Sequence, residues 1–97
     1  MASKKKVSSK SVNPIRVGNA VLIRCVTHYH TGRIVEITPT ELVLTDAAWI
    51  GDTGRFHTAL YTGSLSEVEP FTGPVAVSRG AIVDVTTWTH ELPRLQK

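Results

Sequence analysis

The sequence predicts a mainly β protein: a small bent antiparallel five-stranded barrel with one short helical insert. Three observations predict it. Apolar residues recur with a period of two in five separate segments. Helical spacing occurs in one stretch only, between about residues 50 and 65. The links between the early segments are too short for anything but antiparallel hairpins. A chain of 97 residues has room for one such domain and little else.

Charge divides the chain before the strands begin. Residues 1–16 hold Lys4, Lys5, Lys6, Lys10 and Arg16 with no acid, a charge of +5, whereas residues 17–97 sum to −2. Residues 1–16 therefore read as a flexible basic arm, rich in Lys and Ser and poor in apolar side chains. Within it, Asn13-Pro14 pairs a cap residue with proline at a first helical position, and Gly18-Asn19 limits any helix to about one turn. Residues 17–90 form the barrel domain, with an insert over about 49–72, and 91–97 are a polar tail containing Pro93.

In the first strand, starting at Ala20, Val21, Ile23 and Cys25 share one face and Leu22, Arg24 and Val26 the other. Both faces are largely apolar, as a strand buried on two sides requires. A turn signal at Thr31-Gly32 precedes a second strand, Arg33 to Ile37, rich in β-branched residues. Thr38-Pro39-Thr40-Glu41 reads as a tight turn with proline at its second position. Leu42-Val43-Leu44 is the third strand, closing at Asp46. Asp52-Thr53 can cap a helix in which Phe56, Ala59 and Leu60 fall at helical spacing, and Gly63 stops it. Pro70 and Pro74 frame a polar link. Val75 to Val77 is the fourth strand, Arg79-Gly80 a sharp break, and Ala81 to Thr87 the fifth.

Several classes of function are excluded. The longest apolar runs, Ala20–Ile23 and Ala47–Ile50, fall far short of the roughly 20 residues a membrane helix needs. The N-terminal lysines precede no apolar stretch, so no secretory signal is expected, and a cytoplasmic location follows. Cys25 is the single cysteine, which excludes an internal disulfide and any multi-cysteine zinc site. It reads as a small core residue, because it alternates with the apolar Val21 and Ile23 on one face of its strand. Ser64, Ser66 and Ser78 have no matched histidine, and neither a glycine-rich phosphate loop nor paired carboxylates occur. No enzymatic activity and no cofactor are expected.

Two segments resemble the motifs of the Sm-like family (LSm/Hfq type). One runs from Val21 to Asp46, with Gly32 at the glycine position, Ile34 and Ile37 at apolar ones, and Leu42, Leu44 and Asp46 as the closing run. The other is Val77-Ser78-Arg79-Gly80-Ala81-Ile82-Val83, an Arg-Gly pair between two strands. The match covers about residues 17–88 outside the insert, and it looks similar to divergent bacterial or phage-encoded members. The resemblance implies a homo-oligomeric ring of five to seven copies that binds RNA or single-stranded nucleic acid at its pore. Arg79 and Gly80 would then lie in the pore-facing loop. Two departures weigh against the family's uridine site. The loop at Thr38–Glu41 has neither its Asp nor its Asn, and Ser78 replaces an apolar residue.

Physical reasoning adds candidates of its own. The fourth and fifth strands are short, apolar and free of lysine, so their edges suit pairing with a neighbouring copy. Arg79 is a phosphate ligand by its planar fork, or a brace pairing with Asp46 or another acid. Lys4, Lys5, Lys6 and Lys10 offer electrostatic contact to phosphate. Tyr29 can stack a base. On a strand, His28 and His30 point the same way and could share zinc, with a third ligand from His57, His90 or a carboxylate. No spacing specifies that third ligand, so no metal is expected. Trp49 and Trp88 read as packing anchors. Two functions fit: a ring subunit that binds nucleic acid, or a structural ring component that does not.

Overall fold

The computed structural model describes residues 12–97; the four arm lysines fall outside them. Six strands and one helix follow in order: β1 (Ala20–Cys25), β2 (Tyr29–Ile37), β3 (Glu41–Asp52), α1 (Phe56–Thr62), β4 (Glu67–Pro70), β5 (Val75–Ser78) and β6 (Ile82–Thr87). A single 3-10 turn, Arg79–Ala81, joins β5 to β6. The strands make one antiparallel sheet in the order β4-β3-β2-β1-β6, with β5 also on β3. Among the described residues no helix is long and apolar enough to cross a membrane.

The mainly β class, the antiparallel order of the first three strands and the short helix are as the sequence predicts, but β2 begins at Tyr29 and runs through the turn expected at Thr31-Gly32, whose residues pair with Leu22 and Val21. Nor does the expected closure into a five-stranded barrel occur. Among the described residues the sheet has six strands and stays open. Closure would require the outer strands to pair, but β5 bonds β3 and β6 bonds β1. The three-residue turn between them spans only about 6 Å, so it draws the two flanks together at one corner and the sheet curls.

The added strand and the length of β3 have one cause. β3 is 12 residues long and offers its outer edge twice: Glu41–Leu44 pairs with β5, and Ala48–Asp52 pairs with β4. Between these halves the pairing with β2 slips, Thr31 facing Ala48 and Arg33 facing Thr45, so β3 carries one extra residue. Asp46 sits there in the left-handed region at φ 50°. An extra residue is a β-bulge, and it exchanges the faces of everything beyond it.

That exchange gives the sheet two apolar layers. Leu42 and Leu44 join Val21, Ile23, Cys25, Ile34, Ala47 and Val77 on one face. Past the bulge, Ala48 and Ile50 join Leu22, Ala59, Leu65, Val68, Trp88 and Leu92 on the other. β1 contributes to both, which explains why neither of its faces is polar. The helix ends where expected, at Gly63 with φ 80°. It begins at Phe56, after Arg55, because the Asp52 carboxylate instead accepts from the Gly54 N–H at 2.8 Å. The final residues dock as well. Leu92 is buried, and Lys97 and Val68 exchange both backbone hydrogen bonds at 2.9 Å, covering the outer edge of β4.

Gly32 marks the tightest contact of the first layer. A Cβ there would lie 3.0 Å from Leu44 Cβ and 3.1 Å from Ala47 Cβ. Both neighbours are fixed to strand backbone, so neither can swing aside. Gly32→Val is expected to destabilise by about 1–3 kcal/mol or more. A thermal melt should show Tm lower by at least roughly 5 °C; an unchanged Tm would refute the close approach.

Candidate functional site

Two groups of side chains stand out, at opposite ends of β2. The first is the corner at Arg79. Its backbone N–H donates to Thr40 O at 2.9 Å, and its guanidinium Nη1 donates to Thr38 O at 3.1 Å. The turn it grips is itself braced, since the Thr38 hydroxyl accepts from the Glu41 N–H at 2.9 Å. Arg79 therefore ties the β5–β6 turn to the Thr38–Glu41 turn, through carbonyls rather than through an acid. Asp46 is paired with Arg94 at 3.1 Å instead. Arg79 and Gly80 are both exposed, and only one guanidinium nitrogen has a protein partner. The remaining donors of the fork are available to a phosphate.

The second group surrounds the β1–β2 hairpin. The Cys25 N–H donates to His28 O at 2.8 Å, closing a link made of Val26, Thr27 and His28. That bond sets Cys25 opposite His28, and the period of two puts His30 on the same face. Cys25 Sγ lies 3.8 Å from His30 Nδ1. One donor atom from each of Cys25, His28 and His30 lies within 4.8 Å of the others. The two imidazoles meet edge to face at 4.8 Å. His28 stacks on Trp49 at 5.9 Å and His30 on Phe71 at 5.8 Å. Burial, with a smaller contribution from His28, pushes the His30 pKa down to about 4. Burial also pushes the Cys25 thiol upward. At neutral pH His30 is thus an uncharged imidazole.

No family model, curated protein or solved structure matches the chain.

The candidates from sequence separate accordingly. Tyr29 is half-buried, with its ring stacked on Phe56 at 5.9 Å, so it packs the helix onto the sheet. It lies eight residues of β2 away from the Thr38 turn, up to roughly 26 Å along the strand. Tyr29 and Arg79 are thus not brought together. Lys4, Lys5, Lys6 and Lys10 lie outside the described residues. Trp88 is buried as an anchor, whereas Trp49 is half-buried against His28. His57 and His90, the anticipated third ligands, are engaged elsewhere: His57 beside Tyr61, and His90 Nε2 at 2.7 Å from Leu60 O. Sequence reasoning missed Cys25 as the partner of His28 and His30. The available signal was the spacing Cys-x-x-His-x-His across a short hairpin.

Proposed function

We propose that the chain is an Sm-like ring subunit that binds RNA or single-stranded nucleic acid. Arg79 and Gly80 face the pore, and the Lys4–Lys10 arm adds affinity. The observation that carries this reading is the final strand–Arg-Gly–strand unit. β5 and β6 flank the sheet, are linked by the exposed Arg79–Ala81 turn, and each keeps one edge without a partner strand among the described residues. A head-to-tail pairing of one copy's β5 with the next copy's β6 satisfies both edges and repeats Arg79 around an axis. Repetition at a narrow opening concentrates positive charge where a phosphate chain would pass.

A purely structural ring is the second reading. The charge of −2 over residues 17–97 and the engagement of Tyr29 with Phe56 favour it.

Native mass spectrometry of the full chain, with and without nuclease, tests both. Five to seven copies with nuclease-sensitive extra mass support the first reading, and the same copy number without extra mass supports the second. Monomer alone at micromolar concentration overturns the ring. Val83→Pro adds a focused check. Val83 has no register partner on β1, because the pairing slips between Asp84 and Ile82. Proline at this bulge is tolerated within the monomer, but its ring and missing N–H hinder the pairing of another strand with β6. The variant is expected to melt like the parent and to fall apart into monomers.

A further inference from the structure

We propose that Cys25, His28 and His30 form a zinc-binding site with one open coordination position. The proposal is independent of ring assembly. A tetrahedral zinc with a Zn–S bond near 2.3 Å and Zn–N bonds near 2.0–2.1 Å holds its ligand atoms roughly 3.3–3.6 Å apart. Cys25 Sγ and His30 Nδ1 already stand 3.8 Å apart, and the three donor atoms fall within 4.8 Å of one another. A small rotation of the His28 ring on its hairpin loop completes the set.

The surroundings fit ligands held for a metal. Thr27 Oγ1 lies 2.9 Å from His28 Nδ1, which orients that ring and leaves Nε2 as its nitrogen without a protein partner. Outer contacts of this kind fix the tautomer of metal-bound imidazoles. Trp49 and Phe71 back the two rings. Arg24, the nearest cation in sequence, is neutralised by Asp84, with Nε 3.1 Å from the carboxylate. A surface cavity lined by Cys25 and His28, together with Arg24, Thr27, Tyr29 and Val83 but not His30, gives a metal, and the water completing its coordination, a route in. One thiolate and two neutral imidazoles are borderline-soft donors, a set that suits zinc over calcium or magnesium. Binding releases the thiol proton of Cys25 to solvent, and the sulfur's electron pair goes to the metal.

Full-length protein stripped with chelator, then titrated with zinc against a chromophoric competitor, is expected to bind one zinc per chain. His28→Ala, a change on the half-buried hairpin loop that spares the core, should weaken binding by more than about 100-fold, since even outer-contact losses cost 10–100-fold. Thr27→Val should weaken it by about 10-fold. His57→Ala, remote from the site, should leave it unchanged. Cobalt substitution should give thiolate-to-metal charge-transfer absorption that is lost in Cys25→Ser. The proposal is overturned if zinc does not bind stoichiometrically at about 10 µM, far above the dissociation constants of structural zinc sites. It is equally overturned if His28→Ala binds as the parent does, or if the cobalt form lacks thiolate absorption.

Discussion

Trp88→Ala is expected to cost about 3–5 kcal/mol of stability, the range for truncating a large buried aromatic. Trp88 is 3 % exposed and packs in the second apolar layer with Leu22, Ile50, Ala59 and Leu92. It also holds backbone on both sides: its N–H donates to Ala20 O at 2.8 Å, and its indole Nε1 donates to Glu91 O at 3.0 Å. Removing the ring opens a cavity and releases the segment that carries Leu92 and Lys97. A domain of this size has a total stability of only about 5–15 kcal/mol, so the loss is a large share of it. Urea titration should show a lower midpoint, with Tm down by more than roughly 10 °C. Trp88→Phe, which keeps most of the volume and loses the indole donor, should recover much of the difference. If Trp88→Ala melts within about 2 °C of the parent, the second layer contributes far less than its burial implies.

Removing residues 1–12 should weaken nucleic-acid binding and flatten its dependence on salt. The arm holds four lysines in its first ten residues and no acid or aromatic side chain, so its contacts are electrostatic and indifferent to base identity. Each phosphate neutralised on a single strand contributes about 0.7 to the log–log salt slope, so four lysines contribute up to about 3. Between 50 and 200 mM salt that slope is worth roughly 50-fold in affinity. Arg79→Ala should act differently, reducing preference among RNA sequences and changing the slope by less than about 1 per subunit. Filter binding over a salt series separates the two effects. If the intact protein shows no salt-dependent binding to any RNA or single-stranded DNA at about 50 mM salt, the nucleic-acid reading falls and the structural ring remains.

The strands that could be read from sequence were those with a regular period. Val21, Ile23 and Cys25 face one layer and Leu22 the other, as their alternation says. The second half of β3 was hidden for a physical reason. Ala47-Ala48-Trp49-Ile50 has no polar alternation, and the bulge at Asp46 reverses parity in mid-strand. β4 was hidden because Glu67-Val68-Glu69-Pro70 offers one apolar residue and ends in a strand breaker. Only β3 on one side and Lys97 on the other make it a strand. The sulfur beside His30 was illegible for a related reason. A residue in the core face of β1 and two histidines after a turn meet only once the hairpin register is fixed, and that register is a property of paired strands.

The pairing of β1 with β6 has a consequence for how the protein is made. β1 stands in the interior of the sheet, yet its second neighbour is the last strand, with Arg24 facing Asp84 across 60 positions of chain. On a ribosome, Val21 and Ile23 leave the exit tunnel early and wait for Val85 to appear. Closing so long a loop costs several kcal/mol of chain entropy before any contact repays it. Such non-local pairing places folding in the slow, millisecond-to-second regime. The nascent chain is therefore a hairpin with an unsatisfied flank until β6 has been synthesised.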